Sequence, residues 1–305
     1  MKQLASLTRR DFLACAMAAM GTAALAGCGS ASSSTGTSTS ASTTSASQDG
    51  RCVLVHLTTS TSASTTSASQ DTYTLVKDGQ LTIASDLANP PLDYTDTSTN
   101  EPAGFEVELM QAIGEKLGLT SVYLSPVKFD TIIPTIKQGG TADVGVSNFT
   151  ITDERKQEID FTDPYLDSNQ GLVTLASSDK TTQDDLNSTD VKVAVQAGTT
   201  GESWVEENLP NATLASLDDP VQALTGVQTG RFNAAVADLP VVQYLVNNSF
   251  TDCQVSIEIP TGEQYGIVVS KDNPALTSAI NDALAQLDED GTLKGLKTKW
   301  FGSDL

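Results

Sequence analysis

The sequence is short of histidine, of basic residues and of cysteine, and each shortage closes off a class of activity. A single histidine, His56, serves all 305 residues. It lies in "RCVLVHL", a brief apolar island in a tether outside the folded part, so the folded part cannot assemble a Cys/His nucleophile pair or a histidine-bearing metal cluster. No metal and no cofactor is expected. Lysine and arginine total 17 against 38 acids, a formal charge of −21. Without a basic face the chain cannot hold a phosphate backbone, which excludes nucleic acid as a partner. Four cysteines are present, Cys15, Cys28, Cys52 and Cys253. Two of them fall in or directly after the N-terminal leader. Cys52 and Cys253 could bridge only outside the cytoplasm, and with Cys52 in a tether they are expected to stay apart. No apolar run is long enough for a permanent membrane span.

What is there begins with an export leader. "MKQLASLTRRDFLACAMAAMGTAALAGC" combines a charged start, the pair Arg9–Arg10, a short apolar run and small residues. "TRRDFL" resembles a twin-arginine export motif, and "LAGC" resembles a lipoprotein cleavage box with Cys28 as the lipidated residue. The leader 1–27 carries Lys2, Arg9, Arg10 and Asp11, a net of +2, so the mature chain is near −21 − 2 = −23. Residues 28–71 then form a Ser/Thr-rich linker too polar to offset its ordering entropy. "TSTSASTTSASQD" occurs twice in it, at 37–49 and 59–71, which reads as a lengthened tether and not a structural repeat. As a flexible coil of about 43 residues it spans roughly 35 Å. These features place the folded head extracytoplasmically, lipid-anchored to the outer face of the cell membrane.

From Tyr73 onward, strand-like and helix-like segments alternate. "LTIAS" is a strand, and "GFEVELMQAIGEKLGL" is a helix with Phe105, Leu109, Ile113 and Leu117 on one face and Gly118 as its stop. "DTIIPTIKQGG" is a helix before the strand "ADVGVS". The same grammar repeats through "VKVAVQA", "GESWVEENL", "ATLASL", "PVQALTGVQTG", "NAAVADL" and "PVVQYLVNN". Strands "QVSIEI" and "YGIVVS" follow, and a single long helical region, 275–301, closes the chain. Such alternation predicts α/β layers with mostly parallel sheets, in one large domain or two lobes. Ligands in these folds sit beyond the carboxyl ends of strands, where Ser147, Thr199 and Asp238 fall.

One stretch, "SNFTITDERKQEIDF", breaks a local rule. Thr152 is a helix N-cap, and Asp153 and Glu154 suit the positive end of the helix dipole. Arg155 sits in the same first turn, where that dipole disfavours a cation. A guanidinium holds a carboxylate through two parallel hydrogen bonds, and a helix start adds N–H donors. An anion bound between them would satisfy both. The competing role is an ordinary ion pair with Glu158, worth about 0.2–0.5 kcal/mol. For Asp238 the competing role is a helix N-cap ahead of Pro240.

The ordered set "SDLANPPLDY", "GFEVELMQAIGEKLG", "FDTIIPTIKQGGTADVGVSNFTITDERKQEIDFTDPY", "VAVQAGTTGES", "AAVADLP", "GEQYGIVVSKDNP" and "LDEDGTLKGLKTKWFG" resembles the extracytoplasmic solute-binding proteins of ABC importers, in the cluster that takes up polar amino acids. The resemblance runs from Leu81 to Gly302. It implies a two-lobed periplasmic-binding-protein-like α/β fold (type II), with a hinge between lobes whose mixed, mostly parallel sheets are flanked by helices. The solute-binding domain is then 72–305, with one lobe at about 72–170 and 265–305 and the other at about 171–264. The resemblance also implies a monomer that binds a free amino acid and delivers it to ABC permease subunits. It places Arg155 on the ligand's α-carboxylate and Asp238 on its α-ammonium. Ser147 and Thr150 become backbone and hydroxyl contacts, with Asn148 between them, and Thr200 becomes a second N–H donor to the carboxylate. Where the family often carries an aromatic in its first loop, this chain has Asn89, with Asp86 expected mainly to structure that loop. Phe129 stands where an aromatic lines the pocket. The amide at 89 tilts the expected guest towards a polar side chain. Two alternatives stay open: a same-fold dehydratase acting on a small carboxylic acid, and a sensory or adhesive lipoprotein that binds without import.

Overall fold

The computed structural model describes residues 72–302. The leader, Cys28, the 28–71 linker with its duplication, His56 and any pairing of Cys52 lie outside the described residues. Within them, strand–helix alternation builds two five-stranded sheets and one small three-stranded sheet.

The chain enters at β1 (Gln80–Ala84) and makes the small antiparallel sheet from β2 (Ala88–Asn89), β3 (Asp93–Thr95) and β4 (Pro102–Ala103). Helix α1 (Phe105–Leu117), β5 (Thr120–Tyr123), α2 (Phe129–Gln138), β6 (Val144–Gly145), α3 (Asp153–Glu158) and β7 (Asp160–Phe161) follow. The second half holds β8 (Leu166–Leu175), α4 (Gln183–Leu186), β9 (Lys192–Gln196), α5 (Thr200–Asn208), β10 (Thr213–Leu217), α6 (Pro220–Gln228), β11 (Ala234–Asp238), α7 (Leu239–Asn248) and β12 (Cys253–Tyr265). Strand β13 (Val268–Val269), α8 (Pro274–Glu289) and α9 (Thr292–Phe301) end the described chain.

The first sheet has the order β5-β1-β6-β13-β7, parallel across β5, β1 and β6 and antiparallel where β13 inserts. The second has the order β10-β9-β11-β8-β12, parallel across its first three strands. Strands β8 and β12 pair antiparallel and carry the chain from the first sheet to the second and back. Each sheet with its helices is one lobe of a two-lobed α/β fold.

Local chemistry explains the elements. Helix α1 buries Phe105, Leu109, Met110 and Ile113, each contributing about 1.5–3 kcal/mol on burial, and ends on Gly118 in the left-handed conformation. Its N-terminus begins at Gly104, whose φ of 126° and contact with the Leu92 carbonyl leave no room for a side chain. Helix α6 starts from the Asp219 cap with Pro220 behind it. Two features differ from the sequence expectation. The closing helical region is two helices, because Asp290–Gly291 ends α8 and Gly291 turns left-handed at φ 79°. The second is the ten-residue strand β8, whose first half "LDSNQ" is too polar to give a strand signal. No described helix is long and apolar enough to cross a membrane. Cys253 is a free, buried cysteine.

Candidate functional site

The ends of β1, β6, β9 and β11 deliver Asp86, Ser147–Asn148, Gln196 and Asp238 to a common cleft between the lobes. Cross-lobe hydrogen bonds join them, as expected for the carboxyl side of an α/β sheet.

Arg155 is positioned by the short helix α3. The Thr152 hydroxyl caps that helix by accepting from the Arg155 N–H at 3.1 Å. The Arg155 side chain turns away from Glu158, which pairs with Lys137 instead. One guanidinium nitrogen donates to the Thr150 carbonyl and the other to the Gly198 carbonyl of the second lobe, both at 2.9 Å. The group lies 5.6 Å from the rings of both Phe129 and Phe149, which stack at 4.5 Å. Burial lowers its pKa, while the charges of Asp238 and Glu263 act to raise it. Thr200 opens α5 behind the Thr199 cap, and its hydroxyl stands 3.4 Å from that of Thr150.

Asp238 occupies the N-cap position of α7, yet its side chain makes no capping bond. It accepts instead from the Asn148 amide of the first lobe and from Gln170 Nε2 at 2.5 Å. Burial, reinforced by the charge of Glu263, pushes its carboxyl up to about 6. Glu263 itself accepts from the Thr150 hydroxyl at 2.9 Å and from Gln170 at 3.0 Å.

Asp86 is buried at the end of β1. Its Oδ1 accepts from Ala88 N, Asn89 Nδ2 and Ser147 Oγ at 3.2, 2.8 and 2.7 Å. Its Oδ2 accepts from Gln196 Nε2 of the second lobe at 2.7 Å. Asp86 therefore both structures its loop and faces the opposite lobe. Ser147 Oγ also lies 2.7 Å from Asp93 Oδ2, which Ser85 Oγ contacts at 2.5 Å. A hydroxyl has one proton to give, so one of the two carboxyls beside Ser147 must bring its own. Asp93 fits that role, since burial and then the charges of Asp86 and Glu106 hold its pKa well above the usual range.

Beneath this layer Glu106 is 0% exposed. It accepts from the Asn148 N–H at 2.9 Å and from the Tyr165 hydroxyl at 2.5 Å. Burial raises it to about 8. These bonds hold Asn148 at a φ of 40°, a left-handed conformation that asparagine tolerates better than most residues. Among the described residues no group of His, Cys, Asp and Glu could hold a metal ion.

All nine side chains expected at the ligand converge here. Arg155, Thr150, Thr200 and Phe129 form one end, Asp238 and Asn148 the middle, and Asp86, Asn89 and Ser147 the other. Gln170, Gln196, Asp93 and Glu106 belong to the same network and carried no sequence signal. The two glutamines lie in strands whose polar positions look like surface. A cavity of about 620 Å³ adjoins Arg155 at the rim, lined also by Glu154, Glu202 and Glu206. The larger cavity, about 770 Å³, shares only Glu263 with the network, so volume is a poorer guide to the site than its chemistry.

The comparisons agree with this architecture. The L-cystine-binding protein TcyJ of Escherichia coli (strain K12) is 31% identical over 229 residues, 74% of this chain and 84% of that protein. The structure of an ancestral arginine-binding protein bound to arginine superposes with a TM-score of 0.68 at 33% identity, covering 73% of this chain and 98% of that one. The ancestral amino acid-binding protein AncCDT-1, a precursor of cyclohexadienyl dehydratase, gives 0.67 at 34% identity, covering 73% and 96%. Residues 81–303 match the family as a whole, so the chain belongs to the bacterial extracellular solute-binding proteins, family 3.

Proposed function

We propose that this protein is a lipid-anchored receptor that closes its two lobes over one free L-amino acid and presents the closed form to an ABC permease. The observation that carries the reading is the opposed pair Arg155 and Asp238. Arg155 is a fork of N–H donors tied to both lobes, and Asp238 is a buried acid with no capping duty, close enough to act on it. A zwitterion offers the complementary charges: its carboxylate to Arg155 and the Thr200 N–H, its ammonium to Asp238. Thr150, Ser147 and Asn148 line the same path, and Phe129 forms a flat wall beside the guanidinium. At the far end Asp86 and Asn89 favour a polar side chain that donates hydrogen bonds. Closure is a hinge motion about β8 and β12, stabilised by contacts from both lobes. Cys28 carries the anchor, and the linker lets the head reach its permease.

Binding leaves the guest chemically unchanged. A thermal-shift screen of the twenty amino acids with cystine and ornithine tests the reading. A micromolar ligand binds with about −8 kcal/mol. At roughly 100 times its Kd it adds about 2.7 kcal/mol of stability, a rise of roughly 5–10 °C for a domain of this size. If protein freed of co-purified ligand by unfolding and refolding shows no shift with any compound, the reading fails. Conversion of a bound acid into a new product would favour the dehydratase alternative.

A further inference from the structure

Gln170 sits on β8, one of the two crossing strands, and is 0% exposed. Its Nε2 stands 2.5 Å from Asp238 Oδ1, 3.0 Å from Glu263 Oε2 and 3.2 Å from Thr200 Oγ1. One neutral amide nitrogen therefore faces two carboxylates carried by two different strands. Its Oε1, by contrast, is buried and accepts from nothing among the described residues.

A buried carbonyl without a donor is costly, and in a native protein it calls for a reason. Turning the amide over would bring no relief, because the carbonyl would then point at the two acids. The orphaned oxygen is the consequence of aiming both N–H groups the other way. Gly201 leaves room for this arrangement, since a Cβ there would come 2.9 Å from Oε1.

The acid that Gln170 serves is under opposing influences. Burial and the charge of Glu263 drive Asp238 towards holding a proton, and hydrogen bonds from Asn148, Tyr265 and Gln170 act against them. The charge of Arg155 on α3 also favours the ionised acid, while that of Glu106 on α1 disfavours it. Asn148 belongs to the opposite lobe and must leave when the lobes part or a guest arrives. Gln170 stays, because it is paired directly across from Asp238 within one sheet.

We propose that Gln170 is a positioning residue that keeps the Asp238 carboxylate free of a proton and aimed at the guest's ammonium, whether the lobes are open or closed. The inference rests on the amino-acid reading above. A protonated Asp238 is a neutral neighbour for an ammonium, and it would have to release its proton before the charge pair could form.

The test is calorimetric titration from pH 5 to 7.5 with L-arginine and L-glutamine, whose own charges do not change in that range. Wild-type affinity should fall as pH drops through about 6, where Asp238 takes up its proton. Gln170→Met keeps the length of the side chain and removes its N–H groups. Without that donor Asp238 holds its proton to a higher pH, so the fall in affinity should begin about one pH unit or more above wild type. Gly201→Ala pushes on Oε1, should shift the profile in the same direction, and serves if the methionine variant does not fold. A midpoint within about 0.3 pH unit of wild type in every variant that folds overturns the proposal, since a merely structural residue weakens binding by one factor at every pH. A flat wild-type profile overturns it too. Wild type that binds neither probe also ends this inference, whereas the receptor reading stands or falls separately with the full amino-acid screen.

Discussion

Replacing Arg155 by lysine keeps the positive charge and removes the fork. In the native arrangement the two terminal nitrogens serve two acceptors at once, the Thr150 carbonyl of their own lobe and the Gly198 carbonyl of the other, each at 2.9 Å. A lysine ammonium is a compact point charge and cannot span both directions from one position. Losing one hydrogen bond from a charged donor costs about 1.5–3 kcal/mol. Losing the flat contact with the Phe129 and Phe149 pair costs a further ~0.5–1 kcal/mol. The sum, about 2–4 kcal/mol, predicts a Kd weakened roughly 30- to 1,000-fold in calorimetric titration with the best ligand from the screen. Arg231→Lys is the matched control, because Arg231 is exposed and its ring neighbour is Phe232; its Kd should stay within about twofold of wild type. If Arg155→Lys bound within threefold of wild type, charge alone would suffice and the bidentate argument would be refuted.

Three further predictions follow from other parts of the molecule. Glu106 titrates near 8 when folded against an ordinary 4.5, so the folded state holds a proton that the unfolded state releases. Its stabilisation is complete below about 4.5 and is lost as pH rises through 8, with a slope of at most about 1.4 kcal/mol per pH unit between them. Glu106→Gln retains an acceptor for Asn148 and Tyr165, and urea unfolding from pH 5 to 8 should show a flatter profile; an unchanged profile would mean another group holds the proton. Gly104→Ala places a Cβ 2.2 Å from the Leu92 carbonyl oxygen at a φ of 126° and should cost about 2–4 kcal/mol, a Tm drop of roughly 5–15 °C. Gly295→Ala, inside α9 with nothing near its Cβ, should instead stabilise by about 0.5–1 kcal/mol, and calorimetry of the pair separates backbone strain from open space. Cys28→Ser should move the protein from the membrane fraction to the soluble one, and persistent membrane association would refute the anchor.

Much of the fold was legible because helix signals here are strong and local. Helix α1 has its periodic face and glycine stop, and α6 its Asp-Pro start. Strand β8 was not legible, since its polar half is a strand by virtue of pairing with β12, a partner about ninety residues away. The break at Gly291 was written in the sequence as Asp-Gly but masked by helix-favouring residues on both sides. At the site, Arg155 stood out by contradicting its helix dipole. Asp238 showed only as an acid at a strand end, and its freedom from capping appears only in three dimensions. Glu106 was hidden for the opposite reason: an acid in the first turn of α1 is what the dipole favours, so nothing marked it as buried. The glutamines were illegible because an amide shows its importance only through what it touches.

The insertion of β13 between β6 and β7 bears on how the chain matures. The five strands of the second sheet come from one continuous run, 166–265, and can assemble as soon as that run emerges from the ribosome. The first sheet, although started earlier, must wait for Val268 and Val269 to fill the gap beside Gly145 and Val144. Synthesis order and completion order are thus reversed: the half started first is closed last, its β6 and β7 edges staying bare until the short strand that follows β12 has been made.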